Sequence, residues 1–189
     1  MGEASTRTDN ESAAARTFWN ELWDWTKSIA VALLVVLLIH RFGFQLSTVD
    51  GNSMLPTLHD GDRLFINKAI YLLMSPNYGD VVILQDPRRP AGKRVYLVKR
   101  VIGLPGDTIE IRDHRLYRNG EPVDEPYLSE RMEMASYGPE VVPGGHYFVL
   151  GDNRNNSTDS RTFGSVSAGM IKGRAEWIVW PVRQWGHVT

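Results

Sequence analysis

The chain reads as mainly β: an antiparallel β-sheet domain preceded by one N-terminal transmembrane helix. Three observations predict this. From Gln45 onward, short runs rich in β-branched and aromatic residues alternate with turn signals. One apolar run, residues 29–39, stands near the N-terminus. Apart from that run and residues 67–74, no stretch keeps a helical period of useful length.

Length and charge set further bounds. A chain of 189 residues builds one well-buried domain plus an appendage, and falls short of two large domains. A formal net charge of −1 supplies no attraction for nucleic acid, and none is expected as a partner. Cysteine is absent, which excludes disulfides, thiol catalysis and Cys-ligated zinc. The five histidines, His40, His59, His114, His146 and His187, form no H-E-x-x-H and no pair at helical spacing, so neither a metal nor another cofactor is expected.

Residues 1–24 form a polar tail that turns aromatic at Phe18, Trp19 and Trp23, with Trp25 next, a composition suited to a membrane interface. The apolar run 29–39 is shorter than the roughly 20 residues a bilayer crossing needs. Extended to residues 25–44 it is long enough, with Lys27 and Arg41 placed to reach the head groups. A cleavable signal peptide is the main competitor, but His40, Arg41 and Phe42 stand where a small-x-small site belongs. A buried core helix is the other. Arg7, Arg16 and Lys27 on the N-terminal side of the apolar run, against Arg41 just after it, favour a cytoplasmic N-terminus only slightly, so charge alone does not orient the span.

Residues 45–189 make the β domain. Gly-Asp precedes apolar or β-branched runs at Gly61, Gly79 and Gly106, and returns at Gly151 before a polar loop. Residues 108–112 and 115–118, joined through Asp113-His114 and followed by Asn119-Gly120, predict consecutive hairpins. Residues 175–180 predict a last strand. The proline-bearing stretch 121–143 predicts a surface loop excursion.

Three stretches carry candidate chemistry. In Gly51-Asn52-Ser53-Met54-Leu55-Pro56-Thr57-Leu58, Gly51 leaves room for an approaching peptide and Pro56 stiffens the turn that presents Ser53. An ordinary turn has the same composition. In 95–107, strand alternation groups Val95, Leu97, Lys99 and Val101 on one face, and Tyr96, Val98, Arg100 and Ile102 on the other. If the Lys99 face is buried, desolvation lowers its pKa toward the range of a base; if it lies at a sheet edge, the lysine merely snorkels. Arg100 stays protonated in either case. The third stretch, 151–164, is dense in side chains that bond backbone or one another, among them Ser157, Asp159 and Arg161. A Ser-His-Asp arrangement through His146 and Asp152 is the alternative catalytic set.

Together and in this order, S-M-x-P-T-L from Ser53, K-R-x-I-G-L-P-G-D from Lys99 and G-D-N-R-x-N-S-x-D-S-R from Gly151 resemble the bacterial type I signal peptidases. Gly61–Lys68 and Gly79–Val82 agree with two lesser boxes of that family. The resemblance implies the signal-peptidase/LexA-like Ser-Lys protease fold, Ser53 as nucleophile and Lys99 as general base. It also implies that Ser157 orients Lys99 and that Asp159 and Arg161 form a structural pair. In some relatives a hydroxyl two residues before the nucleophile supplies a second oxyanion donor; here that position is Gly51.

The implied substrates are secreted preproteins with small residues at the first and third positions before the cut; the lipid bilayer is the other implied partner, and the secretion machinery a further candidate. The implied placement is single-pass in the plasma membrane, N-terminus in the cytoplasm and catalytic domain on the outer face. Phe42, Phe44, Leu46, Met54 and Leu55 are candidates for holding the site at the membrane surface, with core as the alternative and the better expectation for Leu46 and Leu55. Two rivals stay open: a self-cleaving repressor of related fold, and a non-catalytic membrane-anchored β domain.

Overall fold

The computed structural model describes residues 21–37, 43–89 and 95–188. Contacts divide the chain into two compact units, Met1–Gly43 and Phe44–Thr189. In the first, helix α1 covers residues 21–37, and each of these is exposed. No described helix is long and apolar enough to cross a membrane. Residues 38–42 of the expected 25–44 anchor, Phe42 among them, and residues 1–20 of the tail lie outside the described residues. Phe44, placed at the end of that anchor, instead opens the first strand.

The second unit is built of two antiparallel sheets. In chain order the strands are β1 (Phe44–Thr48), β2 (Arg63–Asn67), β3 (Val81–Gln85), β4 (Tyr96–Gly103), β5 (Thr108–Arg112), β6 (Arg115–Arg118), β7 (Glu121–Pro122), β8 (Ser136–Val141), β9 (His146–Leu150), β10 (Val166–Ser167), β11 (Ile171–Trp180) and β12 (Gly186–His187). The larger sheet runs β1-β2-β11-β3-β4-β9-β10, with β12 on β11; the smaller runs β7-β6-β5-β8. Short helices α2 (Ile70–Leu73) and α3 (Ser160–Phe163) punctuate the loops. The helical period at 67–74 thus yields a single turn.

Burial follows the period of two. Leu64 and Ile66 point inward from β2, Ile109 and Ile111 from β5. β3 is central and apolar up to its last residue, Gln85, and Val81, Val82, Ile83 and Leu84 are buried on both faces. The last long strand begins at Ile171 rather than 175, and register shifts between Ala175 and Trp177 and between Ile178 and Trp180 break its alternation.

A core of Ile102, Ile109, Ile111, Leu116, Met132, Val142, Phe148 and Leu150 joins β4 and β9 of the larger sheet to β5 and β6 of the smaller. Gly103 lies within it: a Cβ there would stand 2.9 Å from side-chain carbons of Ile109, Phe148 and Val142, so only glycine fits.

The hairpin expectation matches. Arg112 pairs with Arg115 across Asp113 and His114, both at positive φ (52° and 64°), the conformation a two-residue turn between twisted strands requires. The stretch 121–143 departs from a plain loop. Its residues 136–141 form β8 on the free edge of β5, while Met132 and Val142 enter the core. Prolines misdirect the reading here because β7 and β8 are the edges of the smaller sheet, where Pro122 and Pro139 interrupt no ladder.

Gly-Asp has one structural meaning at three sites. In His59–Asp62, Asn77–Asp80 and Leu104–Asp107 the Asp N–H donates to the first residue's carbonyl (3.1, 3.2 and 2.9 Å). The Asp carboxylate accepts from that residue's N–H (2.8, 2.9 and 2.7 Å). Gly61, Gly79 and Gly106 occupy the positive-φ corner at 85°, 85° and 90°. Each turn feeds a strand, respectively β2, β3 and β5.

Candidate active site

Ser53 sits on the loop between β1 and β2. The loop is closed at its base by Val49 N–H to Asp62 O (2.8 Å) and Gly61 N–H to Val49 O (3.0 Å). Met54 and Leu58, joined by a helical N–H to C=O bond of 2.9 Å, are buried in the core with Val49, Leu64 and Ile66. Burying the residue immediately after it holds Ser53 in place, half-buried at the loop surface. Gly51 has φ of 93° and donates its N–H to Asp60 Oδ1 at 2.8 Å. A Cβ there would meet nothing within 4 Å, so its conformation, more than its lack of bulk, calls for glycine.

Lys99 projects from β4, between β3 and β9. Leu97 and Val101, its neighbours on that face, pack with Val82, Leu84 and Val149, while Val98 on the opposite face packs with Met54 and Leu58. The expected grouping therefore holds, and both faces are covered. Val95, at the strand's entrance, is 38% exposed. Only 2% of Lys99 is exposed. Its Nζ lies 2.7 Å from Ser53 Oγ and donates to the Val98 carbonyl at 2.8 Å. Burial pulls the Lys99 pKa down to about 8, against the opposing pull of the Asp159 and Asp152 carboxylates. An uncharged amine with one N–H committed to Val98 O keeps a lone pair for the serine proton.

Loop 151–159 holds these two residues in register. Asn153 N–H donates to Ser53 O (3.1 Å), and Asn153 Nδ2 to Asn52 O (3.0 Å). Gly151 makes this approach possible: a Cβ would overlap the Ser53 carbonyl oxygen and Ser157 Oγ. In the sequence Gly151 is the last recurrence of Gly-Asp and the first residue of the third motif, but the contact it permits joins residues about a hundred positions apart, with no local signal.

Behind the pair, Arg100 donates from Nε and Nη2 to Asp152 (2.9 and 2.7 Å), both residues buried. Thr57 Oγ1, four residues beyond the serine, donates to the same carboxylate at 2.6 Å. Arg100 thus ties its own strand to both loops, a role the sequence did not suggest. Arg154 donates from Nε to Gly151 O at 3.1 Å and pairs with Glu125.

Asp159 and Arg161 do pair, through Nε and Nη2 at 2.8 Å each, and Asp159 also accepts from Gly151 N–H at 3.0 Å. Ser157 lines the same cleft, yet its buried Oγ has no hydrogen-bond partner among the described residues. The expected Ser157 bond to Lys99 is therefore not made; Ser53 and the Val98 carbonyl take the amine instead.

The His146–Asp152 alternative also fails. His146 Nδ1 bonds Gly144 O, and Asp152 is occupied by Arg100 and Thr57. Of the residues proposed to face the membrane, Met54 is core, whereas Phe44 and Leu46 are 43% and 64% exposed and Leu55 is half-buried. Leu46, expected in the core, lies on edge strand β1.

Ser53 and Lys99 open into a cleft of about 460 Å³ whose walls include Asp50, Gly51, Asn52, Arg88, Leu97, Asn155, Asn156, Ser157 and Thr158. Such a cleft has room for several residues of an extended peptide and presents a serine beside an amine kept from water. It is equipped for acyl transfer.

Comparison with known proteins gives a consistent result. A family model described as signal peptidase, peptidase S26, matches residues 22–180. A signal peptidase I of Bacillus licheniformis is 42% identical over 175 residues, 87% of this chain and 92% of that protein. Signal peptidase I T of Bacillus subtilis (strain 168) is 40% identical over 185 residues, 93% of this chain and 94% of that one. Among solved structures, a signal peptidase I from Enterococcus faecalis V583 is 35% identical and covers 53% of this chain and 97% of its own, at a TM-score of 0.47.

Proposed function

The chain belongs to the signal peptidase family, peptidase S26, and we propose that it is a membrane-bound serine endopeptidase that removes signal peptides from secreted preproteins, with Ser53 as nucleophile and Lys99 as general base. The observation that carries the assignment of roles is the 2.7 Å separation of Ser53 Oγ from an amine only 2% exposed.

The steps follow from that geometry. Neutral Lys99 takes the Ser53 proton as Oγ attacks the scissile carbonyl. The Ser53 N–H, which meets no acceptor among the described residues, donates to the developing oxyanion. The ammonium then protonates the leaving amine, and the neutral base is regenerated to activate the water that releases the acyl group. Gly51 offers no hydroxyl as second donor, and its N–H is already given to Asp60, so the oxyanion depends on the Ser53 N–H more heavily than in relatives with a side-chain donor.

Ser157, unpartnered at rest on the cleft wall, meets the Lys99 ammonium once the Ser53 proton has moved, and so orients the base during turnover. The Asp159–Arg161 pair braces the loop that carries it. Substrates carry small residues at the first and third positions before the cut and dock as an extended strand, with Leu97 as the apolar wall of the cleft. The apolar segment at 25–44 anchors the chain in the plasma membrane, N-terminus cytoplasmic and catalytic domain on the outer face. Exposed Phe44 and Leu46, on the first strand where that segment ends, meet the bilayer surface.

Cleavage of a signal-peptide-bearing preprotein in detergent tests this. Wild type cleaves; Ser53→Ala abolishes cleavage, and Lys99→Ala lowers it by roughly 10²–10⁴-fold. Full activity in either variant would refute the dyad.

A further inference from the structure

The cleft wall holds a second cation besides the lysine. Arg88 follows β3 in a turn, and its guanidinium grips the buried Asp86 carboxylate with Nε at 2.9 Å and Nη2 at 2.8 Å. Its backbone N–H reaches Asp86 Oδ1 at 3.0 Å. Asp86 is 1% exposed, whereas the Arg88 side chain is 43% exposed and lines the cleft that contains Ser53 and Lys99. The pair is therefore an oriented dipole: the carboxylate lies within the protein and the guanidinium at the cleft wall.

We propose that Arg88 is a positioning residue for the Ser53–Lys99 reaction, a fixed cation that keeps the neighbouring amine in its neutral, proton-accepting form. The inference rests on Lys99 as general base. The charges facing Lys99 come from three elements. Asp159, paired with Arg161, and Asp152, paired with Arg100, favour the ammonium from the 151–159 loop, as does Asp86 after β3; Arg88 opposes them, its guanidinium on the cleft wall and its partner Asp86 buried within the protein. Asp50 lines the same cleft on the serine's loop. Two carboxylates near a buried lysine would otherwise pull it toward the charged state. The fork on Asp86 holds the guanidinium against drifting into solvent, which a lone surface arginine would do.

The test is the pH dependence of kcat/KM on a signal-peptide-bearing peptide for wild type, Arg88→Lys, Arg88→Gln and Arg88→Glu. The ascending limb moves up by about half a pH unit in Arg88→Gln, read as about a threefold loss below the limb. It moves about twice as far in Arg88→Glu and stays near wild type in Arg88→Lys. All variants reach a common plateau at high pH. An order that follows charge and vanishes on the plateau is beyond a merely structural role, which would lower activity at every pH. Limbs that coincide in all four proteins, or a plateau lowered in proportion, overturn the proposal. Lys99→Ala, run alongside, separates the two readings: if it retains a wild-type profile, the base assignment fails, whatever the Arg88 series does.

Discussion

A lysine becomes a base only when its ammonium is made costly, and here burial does that: Lys99, in the middle of β4, is 2% exposed. Lys99 has a pKa of about 8, so it is mostly charged at pH 7 and neutral above about 8.5. The sign follows: kcat/KM rises with pH through about 8 and levels above it, because the neutral amine is the active form. Ser157→Ala separates orientation from folding. Its buried hydroxyl bonds nothing at rest, and an unsatisfied buried group costs about 1–3 kcal/mol, so the variant unfolds no more easily than wild type. Its kcat falls about tenfold if the hydroxyl meets the ammonium during turnover. A fall in Tm with unchanged kcat would make Ser157 purely structural. Ser53, Lys99, Asp159 and Arg161 stood out because three motifs, taken together and in order, resemble one family; each stretch alone has an ordinary structural reading. Gly151, Arg100 and Arg88 were not, since their importance lies in what the fold brings beside them.

Among the elements, the repeated Gly-Asp turns set where β2, β3 and β5 begin. Asp107 shows the energetics. Burial raises its pKa, but hydrogen bonds from Arg118, Asn119 and the Leu104 N–H outweigh it, and the carboxyl ends below its ordinary range. A depressed carboxyl pKa stabilises the fold above the unfolded-state value, and that stability is lost as pH falls through the folded-state value. Asp107→Asn therefore lowers stability at neutral pH by about 1–3 kcal/mol, and its difference from wild type shrinks on acidification below pH 4, measured by urea unfolding. A constant difference across pH would contradict it. Turns and hairpins were readable because Gly and Asp have fixed roles in tight turns. β8 was not, because an edge strand bearing Pro139 has the composition of a loop.

Across the whole β domain, the catalytic pair is assembled from segments far apart in sequence, and the clasp is polar. Arg100 joins β4 to Asp152, and Asp152 joins the 151–159 loop to Thr57 on the serine's loop. Asp152→Ala leaves a buried guanidinium without this partner and costs about 3–5 kcal/mol, seen as a lower denaturant midpoint. Gly151→Ala forces the Ser53 carbonyl and Ser157 apart, with about 1–3 kcal/mol lost and cleavage falling further than stability alone explains. The fold class was legible from period-two runs and turns, whereas the two-sheet arrangement and its shared core depend on pairings between distant strands that local pattern does not encode. The account's central claim is that burial in the folded protein brings the Lys99 amine down to a pKa of about 8, within reach of a working base. Following the side-chain NMR signal of isotope-labelled Lys99 against pH tests it most directly: a midpoint near 8 is the predicted result, and a midpoint near the ordinary lysine value of about 10.4 would contradict it.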